Sequence, residues 1–318
     1  MVTTILSIAA IIAGLVVLEL GAERFTASLG ALALRLRASE STVGLLTAGG
    51  EWEELVVVAL ALWSGHPALA VGNIVGSCLA NLIGSMPLGL LGRRPLVLNR
   101  DARIFGGVML GVTLLATGVL ADGTVEPRWG WLLIGVFVAY VVAILLVIRR
   151  GWLRPLIDDD DEQESQSGGL PRVIAVVVVG LVIIAIGAEL VVEGGVRLAH
   201  EVGLSDYAIG ATIIAIGTTL PDKAISLIAG LRGQGGIVTA NATGSNIFLL
   251  TLVLGVSAVG SRGLVVGRHV SHVDAPLLLG VSLVIALLFL RRTLHRGVGV
   301  SLLAVYAAYI VLALVRGA

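Results

Sequence analysis

The composition of this 318-residue chain excludes an ordinary soluble domain, because 57% of its residues are hydrophobic and only 13% are charged. Its mean hydropathy of +1.02 is typical of a polytopic membrane protein. Lys plus Arg and Asp plus Glu each total 21, and the resulting zero net charge predicts no nucleic-acid partner.

Ten apolar segments follow one another along the chain, each near the length of about 20 residues that a helix needs to cross the hydrocarbon. Their Leu, Val, Ile and Ala residues do not alternate with polar ones, as they would in a membrane barrel. No Lys or Arg precedes the first segment, so we do not expect a cleaved signal there. We predict an all-α polytopic membrane protein with ten transmembrane helices, at residues 3–20, 41–63, 68–91, 104–120, 129–148, 173–196, 207–231, 237–259, 275–290 and 297–315.

One stretch of the sequence occurs twice. The shift that places Asp222 on Glu54 also aligns other identical residues, namely Gly217 with Gly49, Asn241 with Asn73, Gly244 with Gly76 and Ser245 with Ser77. The chain therefore divides into two five-helix repeats, 1–150 and 172–318. Because five is an odd number, the second repeat enters the membrane in the opposite orientation. This is the inverted-repeat architecture of secondary transporters.

An acidic stretch, residues 151–171, separates the two repeats. Four consecutive Asp residues at 158–161 are followed by Glu, Gln, Ser and Gly, a composition typical of a solvated linker. A regulatory Ca²⁺-binding loop is the alternative. The regular ligand spacing and the Gly of an EF-hand are missing, which favours the linker.

The positions of the positive charges predict the orientation of the chain. Most of the 21 Lys and Arg residues lie in the connections after helices one, three, five, seven and nine. The positive-inside rule then places the acidic linker in the cytoplasm and both termini outside. We expect an integral protein of the cell membrane, either the plasma or the inner membrane.

Each repeat has a carboxylate beside a break in an apolar helix, Glu54 after Gly50 and Asp222 after Pro221. Carboxylates inside membrane helices are costly and usually functional. Pro221 frees a backbone carbonyl about one turn earlier, and such carbonyls coordinate ions in transporters. Hard cations such as Ca²⁺ take about six to eight oxygen ligands. The oxygens available here belong to Glu54, Asp222, Thr218, Thr219, Thr47, Ser77 and Ser245.

The residues at 217–222, Gly-Thr-Thr-Leu-Pro-Asp, and the motif Asn-Ala-Thr-Gly-Ser-Asn-Ile-Phe at 241–248 resemble the second α-repeat of the cation/Ca²⁺ exchanger superfamily, which includes the sodium/calcium exchangers. Residues 51–55 and 72–77 resemble a divergent first α-repeat. The resemblance implies antiport of Ca²⁺ against Na⁺ or H⁺ by alternating access, with no cofactor besides the transported ions. It places Glu54 and Asp222 at the two central acidic positions. The further ligand positions it implies are Asn81, Ser77, Ser245, Thr218 and Thr219.

Several residues depart from the family pattern and keep a second function open. Gly50, Glu51 and Glu53 stand where the first repeat usually has Thr, Ser and Pro, and Leu249 stands opposite Asn81. These changes are compatible with a proton-coupled exchanger of another cation, such as Mg²⁺, Mn²⁺ or a monovalent ion. A membrane ion sensor without turnover is a third and less favoured reading.

Lys223 is the only lysine in the chain and lies next to Asp222. We expect it to compensate charge, either by facing Glu51 or Glu53 or by reaching toward water. One hypothesis is that its ammonium is a built-in cation in the place of the Na⁺ of relatives. Protons on Glu51 or Glu53 would then provide the coupling, because clustered acids favour retaining a proton.

The remaining motifs are consistent with a transporter. No phosphate-binding loop or hydrolytic triad appears in the sequence, so we predict neither a primary pump nor an enzyme. Inorganic cations and membrane lipids are the expected partners, and no protein partner is implied. Ser, Thr and Asn side chains in membrane helices often serve only helix contacts, and we expect Gly72, Gly76 and Gly244 to serve close packing.

Overall fold

The computed structural model describes residues 2–35, 50–92, 94–149 and 170–317. Thr47, and residues 151–169 of the predicted acidic linker, lie outside the described residues. The same holds for the first part of the predicted second span, which is described only from residue 50 onward.

Helices make up almost all of the described structure. In chain order they are α1 (Val2–Arg35), α2 (Trp52–Trp63), α3 (Pro67–Leu88), α4 (Arg100–Leu120), α5 (Pro127–Arg149), α6 (Leu170–Val202), α7 (Asp206–Thr218), α8 (Leu220–Leu231), α9 (Gly235–Gly260), α10 (Val270–Phe289) and α11 (Arg296–Gly317). Four of them contain a π turn, a feature frequent at functional sites. These turns are Ala80–Ser85 in α3, Gly210–Ile214 in α7, Leu249–Val253 in α9 and Val270–Asp274 in α10.

The all-α membrane fold is confirmed. Within the described ranges, 8 helices are long and apolar enough to cross a membrane, and the pair α7 and α8, bent by 47° at Thr219, brings the number to 9. Of the predicted span at 41–63, only α2 and the two residues before it are described.

Two short antiparallel strand pairs were not predicted. β1 (Leu96–Val97) pairs with β4 (Thr293–Leu294), and β2 (Thr124–Val125) pairs with β3 (Leu264–Val265). Each pair joins a connection of the first half to a connection of the second. Strands of two residues carry no periodicity that a sequence pattern could reveal, so only the proximity of the connections creates them.

The elements of the two halves correspond. The shift that places Asp222 on Glu54 also places α8 on α2, both of 12 residues, and the π turn of α9 on that of α3. The boundaries of the long helices α1 and α6 follow the same shift. The internal repeat of the sequence is thus also a repeat of helix lengths.

The helix α3 forms the centre of the molecule, and its apolar stretch is entirely buried. It crosses α7 with the two backbones in direct contact. A Cβ on Gly72 would lie 2.4 Å from the carbonyl oxygen of Tyr207, and one on Gly210 would lie 2.4 Å from that of Leu69. Lipid offers no hydrophobic drive for helices to associate, so small residues that allow such close approach hold them together.

The helices α1 and α6 pack along each other at one side of this core. With 34 and 33 residues they are about 50 Å long at about 1.5 Å per residue, well beyond the hydrocarbon thickness. Their crossing also depends on glycine, because a Cβ on Gly187 would lie 2.5 Å from the backbone nitrogen of Leu18.

Gly76 is packed against the neighbouring helix, since a Cβ on it would lie 2.4 Å from Ala211 O. The packing role expected for Gly72 and Gly76 is therefore confirmed. A Cβ on Gly244 would meet no described atom of a neighbouring element within 4 Å. Its packing role stays a prediction, because residue 43, which corresponds to Ala211 in the first repeat, lies outside the described residues.

The contact at Gly76 can be tested against an exposed helix glycine. We expect Gly76→Ala to lower stability by about 1–3 kcal/mol, the usual cost of overpacking, because α3 and α7 must separate. The control is Gly111→Ala at an exposed position of α4, where a Cβ would meet no described atom within 4 Å. It should be neutral or slightly stabilising, since Ala is the better helix former. Thermal unfolding of both variants in detergent checks this, and equal melting temperatures would contradict the backbone contact.

Candidate ion-binding site

The two central carboxylates occupy equivalent positions at the starts of short helices. Glu54 lies in the first turn of α2, and Asp222 lies in the first turn of α8 after the break at Thr219. The backbone N–H groups at a helix start carry partial positive charge, which favours a carboxylate there. Both side chains are buried, and they are close enough to interact electrostatically.

Glu54 accepts hydrogen bonds from both halves of the chain. Ser77 Oγ donates to its Oε1 at 2.7 Å, and Asn73 Nδ2 donates to its Oε2. The third donor is Thr218 Oγ1 at the end of α7, 2.6 Å from Oε1. A buried carboxylate is tolerated when such donors replace its water, and here two helices from different repeats supply them.

A polar stripe on α3 faces this carboxylate. Asn73, Ser77 and Asn81 follow one another at intervals of four residues, which places them on one helix face. Asn81 is fully buried, and its amide nitrogen and oxygen have no hydrogen-bond partner among the described residues. The carbonyl oxygen of Asn73 is equally without a donor in the described structure.

In the described structure, the Asp222 carboxylate has fewer hydrogen-bond donors than that of Glu54. Its Oδ1 accepts a hydrogen bond from Asn241 Nδ2 at 2.9 Å, the counterpart of the bond between Asn73 and Glu54 and with the same separation of 19 residues. Its Oδ2 is buried and receives no donor from any described residue. Our set of predicted ligands omits Asn73 and Asn241, although their alignment in the two repeats was a signal that could have identified them.

Glu51 and Ser245 complete the surroundings of Asp222. The Glu51 side chain is only 5% exposed and lies close to the side chains of Asp222 and Ser245. Glu53 is half-buried and within electrostatic range of Asp222, Glu54 and Glu19 of α1.

One of our two expectations for Lys223 was that it faces Glu51 or Glu53. The structure shows a different position. Its Nζ donates to the backbone oxygens of Ile216 at 3.1 Å and Thr219 at 3.3 Å, and also to Thr219 Oγ1. No carboxylate in the described ranges lies within 4.0 Å of this nitrogen. The ammonium therefore binds the end of α7, at the break before α8.

The hydroxyl of Thr219 belongs to this helix end as well. Its Oγ1 donates to the backbone oxygen of Ala215 at 2.6 Å and accepts from Lys223. The neighbouring hydroxyl of Thr218 instead reaches Glu54. The two adjacent threonines thus serve different groups, because the helix turns about 100° between one residue and the next.

The carboxylates alone do not form a metal cage. Among the described residues, no group of three or more His, Cys, Asp or Glu side chains is placed to share one metal ion. A cation at this place would also need hydroxyl, amide and backbone oxygens. The unpartnered oxygens of Asp222, Asn73 and Asn81 are of that kind.

One more buried acid, Asp274, bonds to the opposite end of α7. Asp274 at the start of α10 is 3% exposed, and its Oδ2 accepts from the hydroxyl of Tyr207 at 2.7 Å. At the same end of α7, Asp206 lies 2.8 Å from His66 Nδ1. These bonds anchor the beginning of α7, while its other end carries Thr218 to Glu54.

The fold and the site define a polytopic helical membrane protein in which two equivalent short helices each carry a buried carboxylate in the first turn. The chain matches the sodium/calcium exchanger protein family over residues 6–146 and 172–315, and it belongs to that family. The resemblance to the cation/Ca²⁺ exchanger superfamily inferred from the two motifs is confirmed.

Individual relatives agree with this assignment. The candidate antiporter CaxA of Alkalimonas amylolytica is 31% identical over 311 residues, covering 94% of this chain and 96% of that protein. The sodium/calcium exchanger MaX1 of Methanosarcina acetivorans is 33% identical over 150 residues, which cover 46% of this chain and 42% of that protein. A solved structure of the sodium-calcium exchanger NCX_Mj, soaked with 10 mM Na⁺ and zero Ca²⁺, is similar with a TM-score of 0.64 at 26% identity, covering 97% of this chain and 99% of that one. These relatives agree with a transporter rather than an enzyme.

The bond between Thr218 and Glu54 can be tested by its effect on stability. We expect Thr218→Val to lower the free energy of unfolding by about 1–3 kcal/mol, because a buried carboxylate loses a donor. Thr243→Val is the matched control, since among the described residues its buried hydroxyl bonds only to the carbonyls of Thr239 and Ala240 in its own helix. Denaturant unfolding in detergent measures both variants. A Thr218 variant as stable as the Thr243 variant would count against the link.

Proposed function

We propose that the protein is a secondary active antiporter that exchanges Ca²⁺ against Na⁺ or H⁺ by alternating access. The observation that carries the proposal is the set of buried oxygens around Glu54 and Asp222 that have no donor in the described structure: Asp222 Oδ2, Asn73 Oδ1 and Asn81 Oδ1. Buried polar atoms normally have partners, and a hard cation satisfies oxygens of this kind.

In this proposal Glu54 and Asp222 supply the negative charge, and hydroxyl and amide oxygens complete the coordination. The Thr218 and Ser77 hydroxyls donate to Glu54, and a hydroxyl oxygen retains lone pairs that can face a cation at the same time. Ser245 and Asn81 offer further oxygens. We keep Thr219 and Thr47 as ligand candidates of the proposal, and Glu51 and Glu53 as coupling groups.

We infer further that the chain crosses the membrane ten times as two inverted repeats. Two observations support this. The helix lengths of the two halves match, and the bond between Glu54 and Asn73 is equivalent to the bond between Asp222 and Asn241. Movement of one repeat against the other would open the centre to each side in turn. The cell membrane, with both termini outside, is the location we propose on the basis of the positive charges.

Charge-removing variants at the centre test the site. Glu54→Gln and Asp222→Asn in reconstituted vesicles should each lower Ca²⁺ flux by at least about 100-fold, the upper end of the loss caused even by an outer-shell partner. The control is Glu193→Gln, an exposed acid paired with Arg197, which should keep normal flux. Size-exclusion and melting profiles verify folding. Normal flux in both central variants would exclude this site.

The transported ions require a separate measurement. Vesicles with a pH gradient and no Na⁺, and vesicles with a Na⁺ gradient at uniform pH, should be loaded in parallel with Ca²⁺, Mg²⁺, Mn²⁺ or K⁺. We expect Ca²⁺ uptake under at least one gradient, because the oxygen ligands are those that Ca²⁺ prefers. Faster uptake of another cation would support the alternative exchanger. Binding without any uptake would indicate a sensor.

A further inference from the structure

The end of α7 has the composition of a small cation site. The chain breaks there by 47° before α8, and Pro221 has no backbone donor for the preceding turn. Carbonyl oxygens at the C-terminal end of a discontinuous membrane helix carry partial negative charge and coordinate monovalent cations in transporters. In this structure the oxygens of Ile216 and Thr219 converge there on a single group, Lys223 Nζ.

We propose that the ammonium of Lys223 occupies a monovalent-cation site formed by Ile216 O, Thr219 O and Thr219 Oγ1, so that the protein itself supplies a cation that would otherwise come from solution. The proposal rests on the proposed function and specifies one part of it. An ammonium has three donors, and here it meets three oxygens. Neutral oxygen ligands of this type also suit Na⁺.

The placement of Lys223 distinguishes this role from an ordinary charge pair. An unpaired charge at membrane depth is costly and normally finds an acid. Yet Asp222 and Glu54 act on Lys223 only over a distance, and within the described part of the chain no carboxylate lies at salt-bridge distance from Nζ. The carbonyl and hydroxyl oxygens therefore replace an acidic partner.

The direction of the side chain also argues against a lysine that only reaches water. Lys223 belongs to the first turn of α8, but its Nζ bonds back to Ile216, seven residues earlier in the chain. A snorkelling lysine would place its head group in the aqueous phase. This one is partly buried and directed at the helix break. The equivalent position of the first repeat is Leu55, so this built-in charge belongs to one half only.

The consequence is that one positive charge stays with the protein during transport. With Lys223 in place, Na⁺ should not bind at the end of α7. A neutral side chain of similar length should leave the oxygens available and create a Na⁺ site that the wild-type protein lacks.

Equilibrium binding of ²²Na⁺ to the purified full chain in detergent, with choline as the replacing cation, tests this. Lys223→Met should bind about one more Na⁺ per chain than wild type, or bind Na⁺ at least about tenfold more tightly. Arg197→Met removes an exposed positive charge paired with Glu193 and should leave Na⁺ binding unchanged. If Lys223→Met binds no more Na⁺ than wild type, the proposal is overturned.

A double variant separates a defined site from general electrostatic attraction. Adding Thr219→Val to Lys223→Met removes one of the three oxygens and should reverse the gain in Na⁺ binding about tenfold. Adding Thr243→Val should leave the gain intact, because the described partners of that hydroxyl all lie in its own helix. A gain that Thr219→Val does not weaken would reflect diffuse charge and would also overturn the proposal.

Chemical rescue keeps the test decisive if Lys223→Met does not fold. Lys223→Cys should gain the Na⁺ site, lose it after modification with an aminoethyl thiosulfonate that restores an ammonium, and retain it after a neutral methyl modification. The other cysteine, Cys78, is buried, and wild type treated with the same reagents controls for it.

Parallel ⁴⁵Ca²⁺ binding distinguishes the proposed Ca²⁺ exchange from the proposed role of Lys223. A Na⁺ gain without any Ca²⁺ binding would reject Ca²⁺ exchange alone, and Ca²⁺ binding without a Na⁺ gain would reject only the role of Lys223.

Discussion

The burial of the Glu54 carboxylate is the constraint on which the site depends. An unpaired charge away from water costs several kcal/mol, about the net stability of many domains. Glu54 is satisfied by Asn73 and Ser77 of α3 and by Thr218 of α7. Because these donors come from both repeats, the environment of the acid exists only when the two halves are assembled. A movement of one half must change the coordination of this carboxylate.

Glycine-mediated packing makes that arrangement possible. Thr218 can reach Glu54 because α7 lies directly against α3, with Gly72, Gly76 and Gly210 at the contact. In lipid, such close contact is the main source of helix association. The same feature that holds the helices together thus also sets the distance between the two halves of the site. The π turns near these contacts widen the helices locally, and the polar side chains of α3 lie beside one of them.

The two halves of the chain have matching helix boundaries but different side chains around their acids. Glu54 has three hydrogen-bond donors, whereas the Asp222 carboxylate has one, Asn241, among the described residues. Leu249 takes the place that Asn81 has in the first repeat, so the stripe of α9 offers one oxygen fewer. Lys223 adds a positive charge beside only one of the acids. An internally symmetric scaffold therefore holds an asymmetric distribution of charge and ligands.

The sequence by itself determined the membrane class and the helical fold of this protein, and it singled out Glu54 and Asp222, which the structure buries at the starts of two equivalent helices. Long apolar runs, carboxylates within them and a constant spacing are properties of the chain order, and they predict structure without knowledge of contacts. The tertiary structure alone decided that Asn73 and Asn241 bond to the acids, that Gly76 lies against the backbone of α7, and that Lys223 binds the end of α7 rather than Glu51 or Glu53. The reason is physical: the direction of a side chain at a helix break depends on the bend angle and on the neighbouring helix, and neither is encoded in local spacing.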